Sequence, residues 1–321
     1  MKLLRIATRR SALALWQAEH VAARLRAAHP GLEVELLPMV TQGDRILDRT
    51  LAQVGGKGLF IKELEVALQE GRADLAVHSM KDMPADLPEG LCLAAALERA
   101  DARDAFVSNR YARFEDLPLG ARLGTASLRR QCQVRALRPD LQVTPLRGNV
   151  NTRLGKLDAD EFDAILLACA GLDRLGFSAR IAEHLSPALL VPAVGQGIIG
   201  IECRSDDAFT LDAVACLDDA LAALCLATER AFSARLAGSC QSPVAGHAVL
   251  EGATLRLQGL VGAADGSTRV ADSGTLTLTG TDESSLRAAR ADAEALGVAV
   301  AEKLLAAGAG DLLDAARAAE H

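Results

Sequence analysis

Ile6-Ala7-Thr8-Arg9-Arg10-Ser11 and Leu123-Gly124-Thr125-Ala126-Ser127 share one construction. In each, a short apolar run reaches a threonine and then a serine suited to cap the helix that follows. The first predicts a strand over Leu3 to Thr8 and a helix over Ser11 to Ala28. The second predicts a strand at Arg122-Leu123 and a helix from Ser127 to Leu137. Further strands are expected at Glu33 to Val40, Asp74 to Val77, Leu141 to Thr144 and Phe162 to Ala168. Helices fall between them at Leu59 to Glu70 and Val150 to Leu157. Such alternation predicts parallel sheets with helices on both faces, in two similar α/β units. Ile198 to Cys203 is another apolar strand, arriving after the second unit has its own. It is expected to return to the first sheet, giving two crossings between lobes and hence a hinge.

The last third reads differently. Leu217 to Leu236 has helical sequence, and Val244 to Leu250, Thr254 to Val261 and Arg269 to Leu278 alternate as antiparallel strands. Gly252 and Asp265-Gly266 supply the turns. One long Ala/Leu-rich helix, Glu283 to Ala306, is expected to close this unit. The predicted architecture is α/β with two lobes and a third, small α+β domain, an antiparallel sheet with helices. The boundaries are 1–98 plus 198–215 for the first lobe, 103–192 for the second and 218–321 for the third.

With 321 residues, the chain is long enough for several cores. A formal net charge of −7 disfavours indiscriminate binding to nucleic acid or anionic membrane. No apolar stretch has the length of a membrane span, and Met1 to Arg5 lacks a signal peptide's apolar core. Seven cysteines without regular spacing suit a reducing, cytoplasmic setting. There is no Cys-x-x-Cys and no His-x-x-x-His, so no metal site is expected. Of the 35 basic residues six are lysines, leaving 29 arginines, whose planar fork matches carboxylate or phosphate.

Position gives that count its meaning. Arg9 and Arg10 precede Ser11, Arg129 and Arg130 follow Ser127, and Arg147 and Arg153 bracket Gly148 to Thr152. Each set lies at a predicted helix entrance, where free amides and the dipole favour an anion. Surface solvation explains any one set; three sets on two lobes point to a substrate bearing several carboxylates or phosphates. Val77 to Pro84 is the densest polar cluster at a strand end, the edge that faces the ligand crevice in doubly wound sheets. Pro84 and Pro88 place Asp82 on a loop there. Lys81 and Asp82 read equally as a solvated pair, and His78 reads as a hydrogen-bonded structural residue more than a base.

Gly195-Gln196-Gly197-Ile198-Ile199-Gly200 matches the dinucleotide fingerprint in letters only. A strand follows it, where the fingerprint needs a helix. Gly55-Gly56-Lys57-Gly58 lacks the phosphate-loop spacing and reads as a glycine lid, about Ala52 to Phe60. Cys240 stands in Gly238-Ser239-Cys240-Gln241-Ser242-Pro243, a turn that presents a thiol. A cysteine is more often a small buried hydrophobe, and the other six fit that reading better.

These stretches together closely resemble the porphobilinogen deaminase family. The resemblance is carried by Arg5 to Arg9 with Ala12 to Gln17, Val54 to Phe60, Val77 to Pro84, Ser127 to Gln131, Leu146 to Leu154, Pro192 to Gly197 and the cysteine turn. It implies two lobes like those of periplasmic binding proteins. It also implies a dipyrromethane cofactor joined to Cys240 by a thioether, and porphobilinogen as substrate. Asp82 matches the catalytic aspartate. Lys81, Ser127, Arg129 and Arg130 match cofactor-binding positions, and Arg9, Ser11, Gln17, Arg147, Arg153 and Arg174 substrate-binding ones. A cytoplasmic monomer is the family expectation, with no nucleic acid or membrane partner. Ser239, Ala126 and Gln53 depart from the family pattern without touching Asp82 or Cys240. The competing reading is a non-catalytic two-lobed protein that binds a polycarboxylate.

Overall fold

The computed structural model describes residues 3–41, 61–237 and 242–318. Two five-stranded sheets and one three-stranded sheet form its frame. The first sheet holds β1 (Leu3–Arg9), β2 (Glu33–Met39), β3 (Leu75–Ser79), β4 (Leu91–Ala96) and β10 (Ile199–Arg204), ordered β2-β1-β3-β10-β4. The second holds β5 (Asp104–Val107), β6 (Arg122–Gly124), β7 (Gln142–Thr144), β8 (Ala164–Ala168) and β9 (Glu183–Leu185), ordered β7-β6-β8-β5-β9. The two orders superimpose term by term.

Both sheets are mixed, which corrects the all-parallel expectation. β1 runs parallel to β2 and β3, and β6 parallel to β7 and β8. The fourth strand is antiparallel in each: β10 against β3 and β4, and β5 against β8 and β9. These are the strands fed by the crossings. The chain leaves the first sheet after β4 and enters the second as β5. It leaves after β9 and re-enters the first as β10, the return expected from Ile198 to Cys203. An antiparallel strand carries the same apolar run as a parallel one when both faces are buried, so composition does not reveal its direction.

The helix entrances behave as read. Helix α1 (Ala12–Ala28) is capped by Ser11, which accepts from the Ala14 amide. Helix α2 spans Lys62–Gln69. Helix α3 (Leu128–Leu137) is capped by Ser127 and α4 (Val150–Asp158) by Asn149. Helix α5 (Cys169–Arg174) follows β8 directly, and α6 (Ala208–Val214) follows β10. Thr8 and Thr125, the threonines of the two matching junctions, are both buried.

Helix α7 (Ala220–Arg235) leads to the third sheet, the meander β11 (Val244–Glu251), β12 (Thr254–Gly262) and β13 (Arg269–Thr277). The single closing helix resolves into α8 (Glu283–Ala288) and α9 (Arg290–Ala306), with Ala289 ending one and starting the other. Helix α10 (Ala309–Ala318) follows Gly308, whose φ of 95° suits a helix stop. Phe232 of α7 packs with Leu257, Val261, Val300 and Leu304 in the third core. No described helix is long and apolar enough to cross a membrane.

Candidate active site

The ends of β1, β3 and β6 and the starts of α1, α3 and α4 bring the polar residues together. Asp82 is exposed and ends a single 3-10 turn, Met80–Asp82, where a loop was expected. Arg9, Ser11, Gln17, His78, Ser79 and Asp82 line one pocket. Within it, the buried Gln17 amide donates to the Ser79 hydroxyl at 2.8 Å. His78 is 2.9 Å from the buried carboxylate of Glu202, the structural role read from its neighbours.

Lys81 lies beside Asp82 and within electrostatic range of Arg130, Asp104 and Arg153. Burial pushes its ammonium down to about 8; Asp82 opposes this and Arg130 reinforces it. Burial likewise pushes Arg153 down to about 10, helped by the charges of Arg130 and Arg147 and opposed by Asp82. Arg153 also donates through Nε to the Gly148 carbonyl at 2.8 Å. Gly148, at φ 111°, brings that carbonyl round ahead of the helix, and any Cβ there meets Thr152. Lys81, Arg130, Arg147 and Arg153 therefore form a cationic wall, and the charge of Asp82 acts on Lys81 and Arg153. Cations held this close and partly out of water repel one another, and anions relieve that cost.

Arg129 and Arg130 have a partner that motif reading missed. Both hold Asp104, at 2.7 Å for the closest contact of each. Gln196 Nε2 donates to the same carboxylate at 3.0 Å. Burial alone would raise the Asp104 pKa, yet the two guanidiniums keep it well below the usual carboxylate range. Arg129 also reaches the Val191 carbonyl and Arg130 the Leu166 carbonyl. The signal was present: an aspartate opening the apolar strand Asp104–Val107 needs a cation.

Arg174 is placed apart from that wall. Its Nη2 donates to the Gly197 carbonyl at 2.7 Å, and its guanidinium lies 5.8 Å from the Trp16 ring centroid. It thus joins α5 of the second sheet to α1 and the second crossing. Burial pushes it down to about 10. Gly195 to Gly200 is this crossing and its strand. Gly197, at φ 90°, passes so near Ala100 that a Cβ would sit 2.5 Å from its carbonyl oxygen. The glycines serve chain-to-chain contact, which accounts for the fingerprint letters.

Four of the other cysteines (Cys132, Cys169, Cys203 and Cys225) are buried, and Cys92 is half-buried. Cys216, in a 3-10 turn (Ala215–Leu217), is exposed and departs from the buried reading. Cys240 and the lid residues 52–60 lie outside the described residues.

Residues 4–212 match the family description "Porphobilinogen deaminase, dipyromethane cofactor binding domain", and residues 223–306 match "Porphobilinogen deaminase, C-terminal domain". The chain belongs to the porphobilinogen deaminase family. It is accordingly a transferase with hydroxymethylbilane synthase activity, and dipyrromethane is its cofactor. Among solved structures, it is similar to the BvgS VFT2 domain of Bordetella pertussis, at 15% identity and TM-score 0.41. That match covers 66% of this chain and 85% of the other. A periplasmic substrate-binding protein of an ABC transporter from Coxiella burnetii matches at 12% identity and TM-score 0.42, over 67% and 91%.

The cationic wall fits such a cofactor. Dipyrromethane built from two porphobilinogen units carries acetate and propionate side chains, and burial weakens the hold of Lys81, Arg130 and Arg153 on their protons, which a bound anion would restore. Arg129 Nε is buried without a hydrogen-bond partner.

Proposed function

We propose that the chain condenses four porphobilinogen molecules head to tail onto dipyrromethane held by a thioether to Cys240. Ammonia leaves at each addition, and hydrolysis releases hydroxymethylbilane, in tetrapyrrole and haem biosynthesis. The observation that supports this reading is one exposed carboxylate, Asp82, acting on Lys81 and Arg153 within a cluster that also holds Arg130 and Arg147.

The residues divide the work by charge. Lys81, Ser127, Arg129 and Arg130 hold the cofactor's carboxylates, with Asp104 fixing the two guanidiniums in a set orientation. Arg9, Ser11, Gln17, Arg147 and Arg153 hold those of the incoming substrate. Arginine forks at helix entrances bind carboxylates by paired, charge-assisted bonds. Loss of ammonia leaves a cationic azafulvene from porphobilinogen, and Asp82 stabilises that charge where it develops. Asp82 then takes the proton released from the pyrrole carbon when the new C–C bond forms and gives it up to solvent, where the ammonia already released is protonated. Each addition thus yields one ammonium ion.

The three domains follow the divisions 1–98 plus 198–215, 103–192 and 218–321, and the protein works as a cytoplasmic monomer. Arg174 acts at the junction of the lobes, where a shift of hinge changes the room available to the growing chain. Incubation with porphobilinogen tests the reading: one ammonia is expected per porphobilinogen consumed and four per hydroxymethylbilane released. Tight porphobilinogen binding with no ammonia formed overturns the reaction and favours a carrier.

A further inference from the structure

Segments at one edge of the second sheet, beside β5, β8 and β9, converge on the side of Asp104. Asp101 lies on the segment entering β5, Cys169 opens α5 at the end of β8, and His184 sits in edge strand β9. The register fixes their neighbourhood: Asp104 pairs with Ala168, and Ala105 with His184. One carboxylate oxygen, the Cys169 sulfur and one ring nitrogen all lie within 4.8 Å of one another. Among the described residues no other group of three such side chains converges in this way.

Burial is graded across the group. Cys169 is buried, the Asp101 side chain is 22% exposed and that of His184 40%. An ion can therefore arrive from water at the imidazole and carboxylate and meet the sulfur as its inner ligand. His184 Nε2 stands 4.0 Å from Asp101 Oδ2, too far for a hydrogen bond. Two such ligands on one tetrahedral zinc ion stand roughly 3.4 Å apart, so only a small closing movement separates this arrangement from a coordinated one. Arg103 now holds both Asp101 oxygens, but its side chain is 43% exposed and can give way to water. Asp101, Asp104 and Asp173 place negative charge near the sulfur, with Arg103 and Arg130 the cations in range.

We propose that Asp101, Cys169 and His184 bind a divalent transition cation of the zinc class, with water completing a tetrahedral shell. One thiolate, one imidazole and one carboxylate suit that class, whereas magnesium and calcium favour oxygen alone. Binding exchanges the thiol proton for the metal, the proton leaves to solvent, and nothing is oxidised or reduced. The ligands come from a loop, a helix start and an edge strand far apart in sequence, so motif spacing does not show them. The site clips the first crossing segment to α5, the helix that ends at Arg174.

Cobalt(II) is the probe. Untagged, cofactor-bearing protein stripped of metal is titrated with Co2+ and then challenged with Zn2+. The expected result is one equivalent of Co2+ with a thiolate-to-cobalt charge-transfer band, displaced by Zn2+. Cys169→Ser removes the band, and His184→Ala, at an exposed position, weakens binding at least ~10-fold, the smaller end of what losing even an outer-sphere partner costs. No band in the unaltered protein, or a band that survives Cys169→Ser, overturns the site. So does a band abolished by Cys216→Ser, which would put the metal at the His29–Cys216 pair, where nitrogen and sulfur are 3.6 Å apart.

Discussion

Asp82 and Lys81 are adjacent residues with opposite burdens. Asp82 is exposed at the end of a 3-10 turn, free to face whatever enters the pocket, while Lys81 is driven down to about 8 by burial. Replacing Asp82 with alanine removes a carboxylate that bears on no core. Asp82→Ala should retain its unfolding midpoint and lose ~100-fold or more in kcat, the range for a group that stabilises developing charge or transfers a proton. Near-normal turnover would take Asp82 out of the reaction. For Lys81 the sign is fixed by its direction of shift. Its ammonium is intact below pH 8 and is lost above it, whereas a bound carboxylate holds the proton on. Cofactor-free protein should therefore take up dipyrromethane with affinity that is flat below about pH 8 and falls as pH rises beyond it. Lys81→Met should abolish that slope, and a slope that persists would locate it elsewhere.

At the scale of elements, two buried carboxylates tie the crossings down. Asp104, at the start of β5, gathers Arg129, Arg130 and Gln196. Glu229 of α7 gathers Arg99 from the first crossing at 2.6 Å, the Gly195 amide from the second at 2.6 Å and the Ala248 amide of β11 at 2.7 Å. Removing the charge from Asp104 strands two buried guanidiniums, so Asp104→Asn should cost about 3–5 kcal/mol by denaturant titration. A loss below 1 kcal/mol would show that the arginines find other partners. Gly197→Ala puts a Cβ against Ala100 at a left-handed φ and should cost about 1–3 kcal/mol in the same assay. The strand–threonine–serine junctions were legible because a cap and an apolar run lie within six residues of each other. Asp104 and Glu229 were not, since their partners stand 19 to 130 positions away and meet only through the fold. The antiparallel fourth strands escaped for a related reason: burial on both faces erases direction from the pattern. The break at Ala289 has no counterpart in composition, because Ala/Leu-rich sequence continues through it.

Across the whole molecule, two sheets of one strand order exchange their fourth strands through paired crossings, and the third sheet docks beside them. The docking is visible in Cys132 and Val191 packed with Ala245 and Leu260, and in Arg135 reaching the Ala264 carbonyl. Gly266 comes within 2.6 Å of Arg135 Cβ, counting from where a Cβ of its own would stand, so that turn must stay bare. In sequence, Gly238 to Pro243, the stretch that contains Cys240, immediately precedes β11 of this unit. The proposed reaction requires one covalent bond there, from Cys240 to dipyrromethane, with the chemistry left to Asp82 and the arginine-lined cleft. Intact-protein mass spectrometry of chain purified from cells that make porphobilinogen reads that bond directly. The predicted spectrum shows the sequence mass plus one dipyrromethane, reduced to the bare chain in Cys240→Ser; an unmodified native chain, or an adduct that survives Cys240→Ser, would contradict it.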